Sequence, residues 1–218
     1  MTGALSVLVT ALADDTPARA AESERDRDRD AGLVAACLAG NRRAFDQLYR
    51  HHAAAIHGRL ARLVGRGADL DDLVQQVFLE AFRSLPSFRG EAAFSTWLHR
   101  IAIHAAMGEL RRRRRRPIAS AELDAAAVCA DPGLSPEERA RQAELCARAV
   151  RHLAALKPKQ RVAFVLRHVE GMSLQEIAEL VGAEAPAVGQ RVKKAEQELT
   201  ARIAREEHRA ARTSEVRP

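Results

Sequence analysis

Apolar residues recur every three or four positions along two long stretches of this chain, and this helical spacing constrains the fold more than any other feature. The first stretch covers residues 30–116 and the second covers about 136–207. Turn-forming residues interrupt the first stretch at 39–41, 65–69 and 84–90, which predicts four helices there. Aromatic residues make up only 4% of the 218 residues, whereas Ala, Leu, Arg and Glu, which favour helix over strand, are frequent. The sequence therefore predicts an all-α protein made of two small helical domains.

The residues outside these stretches differ in composition. Residues 117–138 contain five acidic residues and three prolines but no lysine or arginine, so we predict that 117–135 form a flexible acidic linker between the domains. Residues 1–29 end in alternating charges without an apolar face, which predicts a disordered leader. Residues 208–218 are predicted to form a C-terminal tail.

The sequence lacks the patterns of the common enzymatic and metal sites. Its three cysteines are odd in number and far apart, so they indicate neither a disulfide framework nor a zinc site. The eight histidines show no spacing that would aim two imidazoles at one metal ion. Neither a glycine-rich phosphate loop nor a nucleophile motif is present. We therefore expect no catalytic residue, no bound metal, no cofactor and no enzymatic activity.

The sequence also bears on where the protein works. No apolar run approaches the roughly 20 residues of a membrane span. The first residues are mildly apolar, but no basic residue precedes them and acidic residues follow, which argues against a secretory signal peptide. We expect a cytoplasmic protein with reduced cysteines and no membrane insertion.

Six consecutive arginines, residues 111–116, follow directly on a helical apolar pattern. The chain has 35 Lys and Arg against 29 Asp and Glu, so this run accounts for the whole positive excess. Arginine near a helix C-terminus complements the helix dipole, which would explain Arg111 and Arg112 but not six in a row. A dense block of guanidinium groups is typical of a surface that binds the phosphates of a polyanion.

A helical wheel extends this basic surface towards the start of its helix. The residues that share the face are Trp97, Arg100, His104, Gly108, Arg111 and Arg115. Phe88, Phe94 and Trp97 supply aromatic faces on which unpaired bases stack. For Trp97, a place in the core is an equal alternative. The pattern predicts a nucleic-acid-binding surface.

The helix predicted at 69–85 has two different faces. Its apolar residues form a wide stripe that faces the core, and Asp69 is predicted to be its N-cap. The opposite face carries Asp72, Gln75 and Gln76 around a single leucine, Leu79. Two interpretations stay open, because a lone exposed leucine is ordinary on a protein surface, whereas an apolar spot ringed by polar groups also suits docking of a partner protein.

The second domain contains a helix-turn-helix pattern at 173–199. Ser173 and Glu176 predict a capping box, and Gly182 ends the first helix. The second helix buries an apolar stripe and can enter the major groove of DNA with its other face. The outward and border residues of that helix are Gln190, Arg191, Lys193 and Lys194.

Four linked motifs resemble those of one protein family. In order and spacing, "ADLDDLVQQVFLEAF", "FRGEAAFSTWLHRIA", the arginine run and "LKPKQRVAFVLRHVEGMSLQEIAELVG" are similar to those of the extracytoplasmic-function (ECF) sigma factors, sigma-70-family subunits of bacterial RNA polymerase. The resemblance covers about residues 30–205. It implies a transcription initiation factor that binds core polymerase and recognises and opens promoter DNA, while catalysis belongs to the polymerase.

The resemblance also implies roles for particular surfaces. The domain at 30–116 would bind the clamp helices of the largest polymerase subunit and the minus-ten promoter element, and the domain at 136–207 would read the minus-thirty-five element. The polymerase-binding residues would be Asp69, Asp72, Gln75, Gln76 and Leu79. The DNA-binding residues would be Phe88, Arg89, Phe94, Trp97, Arg100, His104, Arg111, Arg112, Arg115, Gln190, Arg191, Lys193 and Lys194. An anti-sigma factor is a further expected partner, and the acidic linker would follow the polymerase's positively charged RNA path.

At several positions the sequence departs from the family pattern. His104 and Gly108 stand where such proteins commonly have Asn and Asp, and Gln76 stands where an acid is usual. The recognition helix reads "PAVGQR" where Gly-Thr-Val-Lys-Ser-Arg is common. The replaced polar or basic positions are Ala187, Gly189 and Gln190. These differences favour altered promoter specificity or weaker promoter opening.

Two other classes of function fit parts of the pattern. A stand-alone helix-turn-helix regulator would use its first domain for sensing or dimerisation, would need a ligand pocket, and would bind duplex DNA without polymerase. A helical adaptor would use the arginine run on RNA or on an acidic protein. Band-shift assays with and without core polymerase separate the three.

Overall fold

The structure, a computed structural model, describes residues 24–65, 67, 69–115 and 135–215. All regular elements in these ranges are helices, and none of them is long and apolar enough to cross a membrane. The chain divides into two compact units, which we describe separately. The predicted all-α fold with two small domains is confirmed. The predicted linker at 117–135 lies almost entirely outside the described residues.

In the described part of the first unit there are four α-helices. They are α1 (Glu24–Leu38), α2 (Arg42–Val64), α3 (Leu70–Ser84) and α4 (Phe94–Arg115), with a 3₁₀ turn at Leu85–Ser87. The helices and the breaks between them agree with the sequence prediction. The core is made of apolar side chains with no exposed surface, including Leu48, Ile56, Leu60, Val77, Leu98 and Ile103. The apolar stripe predicted for α3 lies on its buried side.

Helix α1 begins earlier than the sequence suggested. Residues 24–29, assigned to a disordered leader, form its first turns, so the domain start predicted at residue 30 is wrong. Asp30 is only 1% exposed, and its Oδ2 lies 2.8 Å from Nε2 of His52 on α2. The buried side of α1 continues through Val34 and Cys37. The alternating charges therefore belong to a helix whose buried side begins at a polar residue.

The described part of the second unit also contains four α-helices. They are α5 (Pro136–Ala155), α6 (Pro158–Phe164), α7 (Leu174–Val181) and α8 (Ala185–Glu215), and a π-helical segment, Val165–Val169, continues α6. The core includes Leu153, Phe164, Leu166, Ile177 and Leu199, none of which has exposed surface. The pair formed by α7 and α8 is the predicted helix-turn-helix.

Helix α7 begins and ends as the sequence predicts. The N–H of Glu176 donates to Oγ of Ser173 at 3.2 Å, and the N–H of Ser173 donates to Oε2 of Glu176 at 2.8 Å. These two bonds form the capping box. Gly182 follows the helix with φ of +61°, and the N–H of Ala183 donates to the carbonyl oxygen of Ala178 at 3.0 Å. This Schellman-type end turns the chain towards α8.

Helix α8 extends further than predicted. It runs to Glu215, so most of the tail predicted at 208–218 is helical. Near its end, Oε2 of Glu206 lies 2.6 Å from Nε2 of His152 on α5, and Oε1 lies 3.4 Å from Nε of Arg148. These polar contacts extend the contact between α5 and α8 past the apolar core.

The first unit should lose stability in mild acid because of His99 on α4. Burial first, and then the electrostatic effect of Arg59, His52 and Arg62 on α2, together lower the pKa of His99 to about 3. The unfolded chain has an ordinary histidine pKa of about 6.5 and binds a proton that the folded protein excludes. The free energy of unfolding should therefore fall as the pH is lowered from about 6.5 towards 3. This group contributes up to roughly 1.4 kcal/mol per pH unit.

The substitution His99→Gln should remove this contribution. Urea unfolding at about pH 7 and about pH 5 should then show a smaller loss of stability in the variant than in the wild type. His104→Gln, at an exposed position of the same helix, is the matched control and should keep the wild-type pH dependence. Equal pH dependence in wild type and His99→Gln would contradict the prediction.

Candidate partner and nucleic-acid interfaces

The outer face of α3 is polar around one exposed leucine. Leu79 is 55% exposed, and Asp72, Gln75 and Gln76 are exposed on the same side of the helix. The opposite side is buried in the core. The face predicted to bind a partner protein is thus an open surface of this unit.

Asp69 precedes α3 but does not cap it with its side chain. Its carboxylate forms no hydrogen bond to an N–H of the helix. The carboxylate instead has Oδ2 3.6 Å from Nη2 of Arg112 on α4, with both side chains about half exposed. Asp69 thus occupies the predicted N-cap position, but its side chain forms an ion pair with another helix and no capping hydrogen bond.

Three aromatic rings form one cluster where the loop after α3 leads into α4. The ring centroids of Phe88 and Trp97 are 5.2 Å apart, and the ring of Phe94 lies 5.9 Å from Phe88 and 5.6 Å from Trp97. Phe88 and Trp97 are partly exposed, whereas Phe94 is only 4% exposed. Phe94 is therefore a core residue beneath the other two in this structure, and its contact with DNA stays a prediction. Arg89, in the same loop, is 83% exposed.

The face of α4 predicted to bind nucleic acid is open towards the C-terminal end of the helix. Its exposed members are His104, Arg111 and Arg115, and Arg114, which was not predicted, is exposed as well. A Cβ added at Gly108 would meet no atom within 4 Å. Arg100 is partly buried, and its Nε has no hydrogen-bond partner. Arg116 lies outside the described residues.

Two arginines of the run are bound within the protein. Glu109 is 7% exposed, and its two carboxylate oxygens accept hydrogen bonds from Nε of Arg112 at 2.7 Å and from Nε of Arg113 at 2.6 Å. Nη1 of Arg113 also donates to the carbonyl oxygen of Val64, the last residue of α2, at 2.9 Å. Arg112, predicted to bind DNA, is therefore engaged by Glu109 and Asp69 in this structure.

This cluster keeps a buried carboxylate charged. Burial would raise the pKa of Glu109, but the hydrogen bonds and charges of Arg112 and Arg113 outweigh burial and lower it. The hydrogen bond to Glu109 raises the pKa of Arg112 in turn. Sequence reasoning missed Glu109 and Arg113. Glu109 precedes Arg112 by three residues and Arg113 by four, and side chains with this spacing on a helix lie close together.

The recognition helix α8 presents the predicted polar face. Gln190, Lys193 and Lys194 are exposed and Arg191 is partly exposed. Its inner side, formed by Val188, Val192, Ala195 and Leu199, is buried. Nε2 of His168, in the π-helical segment, lies 2.8 Å from Oε1 of Glu196 on α8. This contact fixes the recognition helix on the π-helical segment.

Of the two small residues of the recognition helix, Gly189 lies close to α7. Ala187 and Gly189 are both partly buried. A Cβ added at Gly189 would lie 3.4 Å from Cδ1 of Leu174 on α7, which is ordinary van der Waals contact. A residue with a Cβ would therefore fit at position 189 without a clash.

Known proteins resemble this chain in sequence and fold. The family model of sigma-70 region 2 matches residues 48–116, and that of sigma-70 region 4 matches residues 147–199. The ECF RNA polymerase sigma factor SigM of Mycobacterium tuberculosis is 39% identical over 176 residues, which are 80% of this chain and 85% of that protein. The ECF RNA polymerase sigma-E factor of Haemophilus influenzae is 33% identical over 180 residues, or 80% of this chain and 95% of that protein.

A solved structure agrees with these relatives. CnrH, determined in complex with the cytosolic domain of CnrY, is 29% identical to this chain and has a TM-score of 0.56. The match covers 81% of this chain and 98% of CnrH. The fold and the sequence thus lead to the same family.

Arg111 and Arg113 offer a matched test on one helix. Arg111 is exposed, so Arg111→Gln should leave the melting temperature unchanged and make the salt dependence of DNA affinity shallower by up to about 0.9 in the log–log slope. Arg113→Gln removes the bonds to Glu109 and Val64, so it should lower the melting temperature. The salt slope should change less than in Arg111→Gln. The opposite assignment of the two effects would show that Arg113 faces the DNA.

Proposed function

Since this chain belongs to the ECF sigma factors of the sigma-70 family, transcription initiation factors that bind core RNA polymerase and direct it to promoters, we propose how its described surfaces divide that work. The outer face of α3 binds the polymerase, α4 and the loop before it bind the minus-ten element, and α8 reads the minus-thirty-five element. Catalysis resides in the polymerase, and the protein works in the cytoplasm with it.

The exposure of Leu79 is the observation that carries the polymerase-binding proposal. It is an apolar side chain with 55% of its surface exposed, surrounded by Asp72, Gln75 and Gln76 on a helix whose other side is buried. An apolar centre with a polar rim is the usual anatomy of a protein interface. By the family resemblance, the partner of this helix is the pair of clamp helices of the largest polymerase subunit.

The substitution Leu79→Asp tests this assignment. It should abolish binding to core polymerase in a pull-down or native-gel assay, because a carboxylate would be buried without a partner at the centre of the interface. The melting temperature should stay nearly unchanged, because Leu79 lies outside the core.

Leu38→Asp is the matched control. Leu38 is 53% exposed, lies in the same unit on α1, and receives the same substitution. It should retain polymerase binding. Equal losses of binding in both variants, or undiminished binding by Leu79→Asp, would refute the assignment.

The aromatic cluster and the arginines of α4 support the minus-ten proposal. Phe88 and Trp97 present partly exposed rings at the start of α4, and Arg111 and Arg115 are exposed at its end. Rings stack on unpaired bases, and guanidinium groups bind phosphates. One surface thus combines the two contacts that hold a melted strand. Arg112 is left out of this surface because Glu109 holds it.

Two residues between these groups differ from the usual family pattern. His104 is exposed, and Gly108 has open space where a side chain would stand. The double substitution His104→Asn and Gly108→Asp introduces the residues that are common in the family. We expect that it leaves the fold intact. It should change promoter opening more than initial polymerase binding, because the added amide and carboxylate have room to reach the DNA.

Permanganate reactivity of unpaired thymines would measure that opening. The two single substitutions identify which position is responsible. Reactivity indistinguishable from wild type in the double variant would place these two positions away from the DNA.

The helix-turn-helix supports the minus-thirty-five proposal. Lys193, Lys194 and Gln190 form the outer face of α8, and Arg191 lies at its edge. Amide and guanidinium groups on such a helix read base edges, whereas lysines also neutralise phosphates. Because Ala187 and Gly189 offer no polar group, Gln190 and Arg191 carry more of the readout, and the preferred element differs from that of relatives with Thr and Lys there.

An anti-sigma factor is the regulatory partner that we propose. CnrH was determined bound to the cytosolic domain of CnrY, and this chain shares its fold. Such a partner acts by covering a surface that the polymerase needs. In this unit, the open face around Leu79 is the surface that we expect it to cover.

A further inference from the structure

Phe94 connects the proposed base-binding rings to the interior of the first unit. Its ring lies 5.9 Å from the ring of Phe88 and 5.6 Å from that of Trp97, between centroids. On its other side the ring of His52, on α2, lies 5.3 Å away. Since Phe94 is only 4% exposed, its position depends on these neighbours and fixes the rings above it.

His52 is itself held by a residue of α1. Its Nε2 lies 2.8 Å from Oδ2 of Asp30. The side chain of Asp30 is 1% exposed and that of His52 is 10% exposed. The other carboxylate oxygen of Asp30 has no hydrogen-bond partner and lies 3.7 Å from Nη2 of Arg29. The hydrogen bond to His52 therefore satisfies one oxygen of this buried carboxylate, and Arg29 lies near the other.

These contacts form a continuous path through three helices. It begins at Asp30 on α1, passes through His52 on α2 and Phe94 on α4, and ends at Phe88 and Trp97 on the surface. Asp30 precedes the stretch matched by the family model, which begins at residue 48. The path thus joins a residue that precedes this stretch to the rings that we assign to base binding.

We propose that Asp30 and His52 are positioning residues for base capture in the minus-ten element. A hydrogen bond between two buried polar groups permits few alternative orientations, because any rotation leaves the carboxylate unsatisfied. The imidazole plane supports Phe94, and Phe94 sets the separation of the two partly exposed rings before DNA arrives. The free-energy cost of ordering these side chains when DNA binds is then smaller. This inference rests on the proposed role of Phe88 and Trp97.

The variants Asp30→Ala and Asp30→Asn test it. Asparagine keeps an oxygen that accepts a hydrogen bond from His52, whereas alanine does not. The affinity to measure is that of holoenzyme for fork-junction DNA, made from a promoter that the wild-type holoenzyme transcribes in run-off assays. Asp30→Ala should lower this affinity roughly threefold to tenfold, the factor expected for re-ordering one or two side chains on binding. Asp30→Asn should stay within about twofold of wild type.

Trp97 provides a spectroscopic readout, since it is the one tryptophan of the chain. In the free protein, quenching of its fluorescence by acrylamide should increase in Asp30→Ala and remain near the wild-type value in Asp30→Asn. A role confined to stability would lower the melting temperature without changing the accessibility of this ring at temperatures where the protein is folded.

Val34→Ala is the control for a general loosening of α1. Val34 is buried on the same helix, one turn from Asp30, and is 6% exposed. It should lose stability but keep the DNA affinity and the Trp97 quenching of wild type. A loss of affinity in Val34→Ala equal to that in Asp30→Ala would overturn the inference, as would an unchanged affinity in Asp30→Ala.

Phe88→Ala separates this inference from the function on which it rests. If Phe88→Ala weakens binding to the fork-junction DNA and Asp30→Ala does not, the rings bind DNA but need no support from α1, and only the inference fails. If Phe88→Ala leaves the affinity unchanged, the proposed role of the rings fails, and the inference fails with it.

Discussion

One buried carboxylate, that of Glu109, organises the arginine-rich end of its own helix, α4. Neighbouring guanidinium groups repel one another, and such a run would otherwise favour an open, solvated chain. The bonds from Arg112 and Arg113 to Glu109 neutralise part of that repulsion. The bond from Arg113 to the carbonyl of Val64 fixes the helix against the end of α2. The remaining exposed arginines are thereby presented on a helix with a defined direction.

The arginine run therefore contains two kinds of residue that look identical in the sequence. Arg112 and Arg113 both donate hydrogen bonds to Glu109, although Arg112 stays about half exposed, whereas Arg111, Arg114 and Arg115 are exposed on the same helix. The same division recurs among the aromatic residues, since Phe94 supports the rings of Phe88 and Trp97 from below. In both groups a buried member gives its exposed neighbours a fixed position, which is how a protein surface is organised before its ligand binds.

Most of the fold could be read from the sequence because its signals are local. Periodicity located the helices, the Ser173–Glu176 capping box and Gly182 marked the ends of α7, and the wheel placed Leu79 on the open face of α3. The errors in helix boundaries occurred in residues 24–29 and 208–215. The sequence showed no apolar face in the first of these segments and no reason for α8 to continue to Glu215. In the structure, Asp30 packs against His52 directly after the first segment, and Glu206 contacts His152 just before the second.

By itself, then, the sequence determined the all-α class, the two-domain division, the family and the faces of α3 and α8, because each follows from spacing along one helix or from linked motifs. Tertiary structure decided which of the chemically identical groups are available to a ligand. It buried Phe94, enclosed Asp30, and brought Arg112 to Asp69 and Arg113 to the carbonyl of Val64. These outcomes depend on pairs of side chains far apart in the sequence or on helices whose relative rotation no local pattern specifies. Their energies come from burial and from ion pairs, which exist only when the helices have packed.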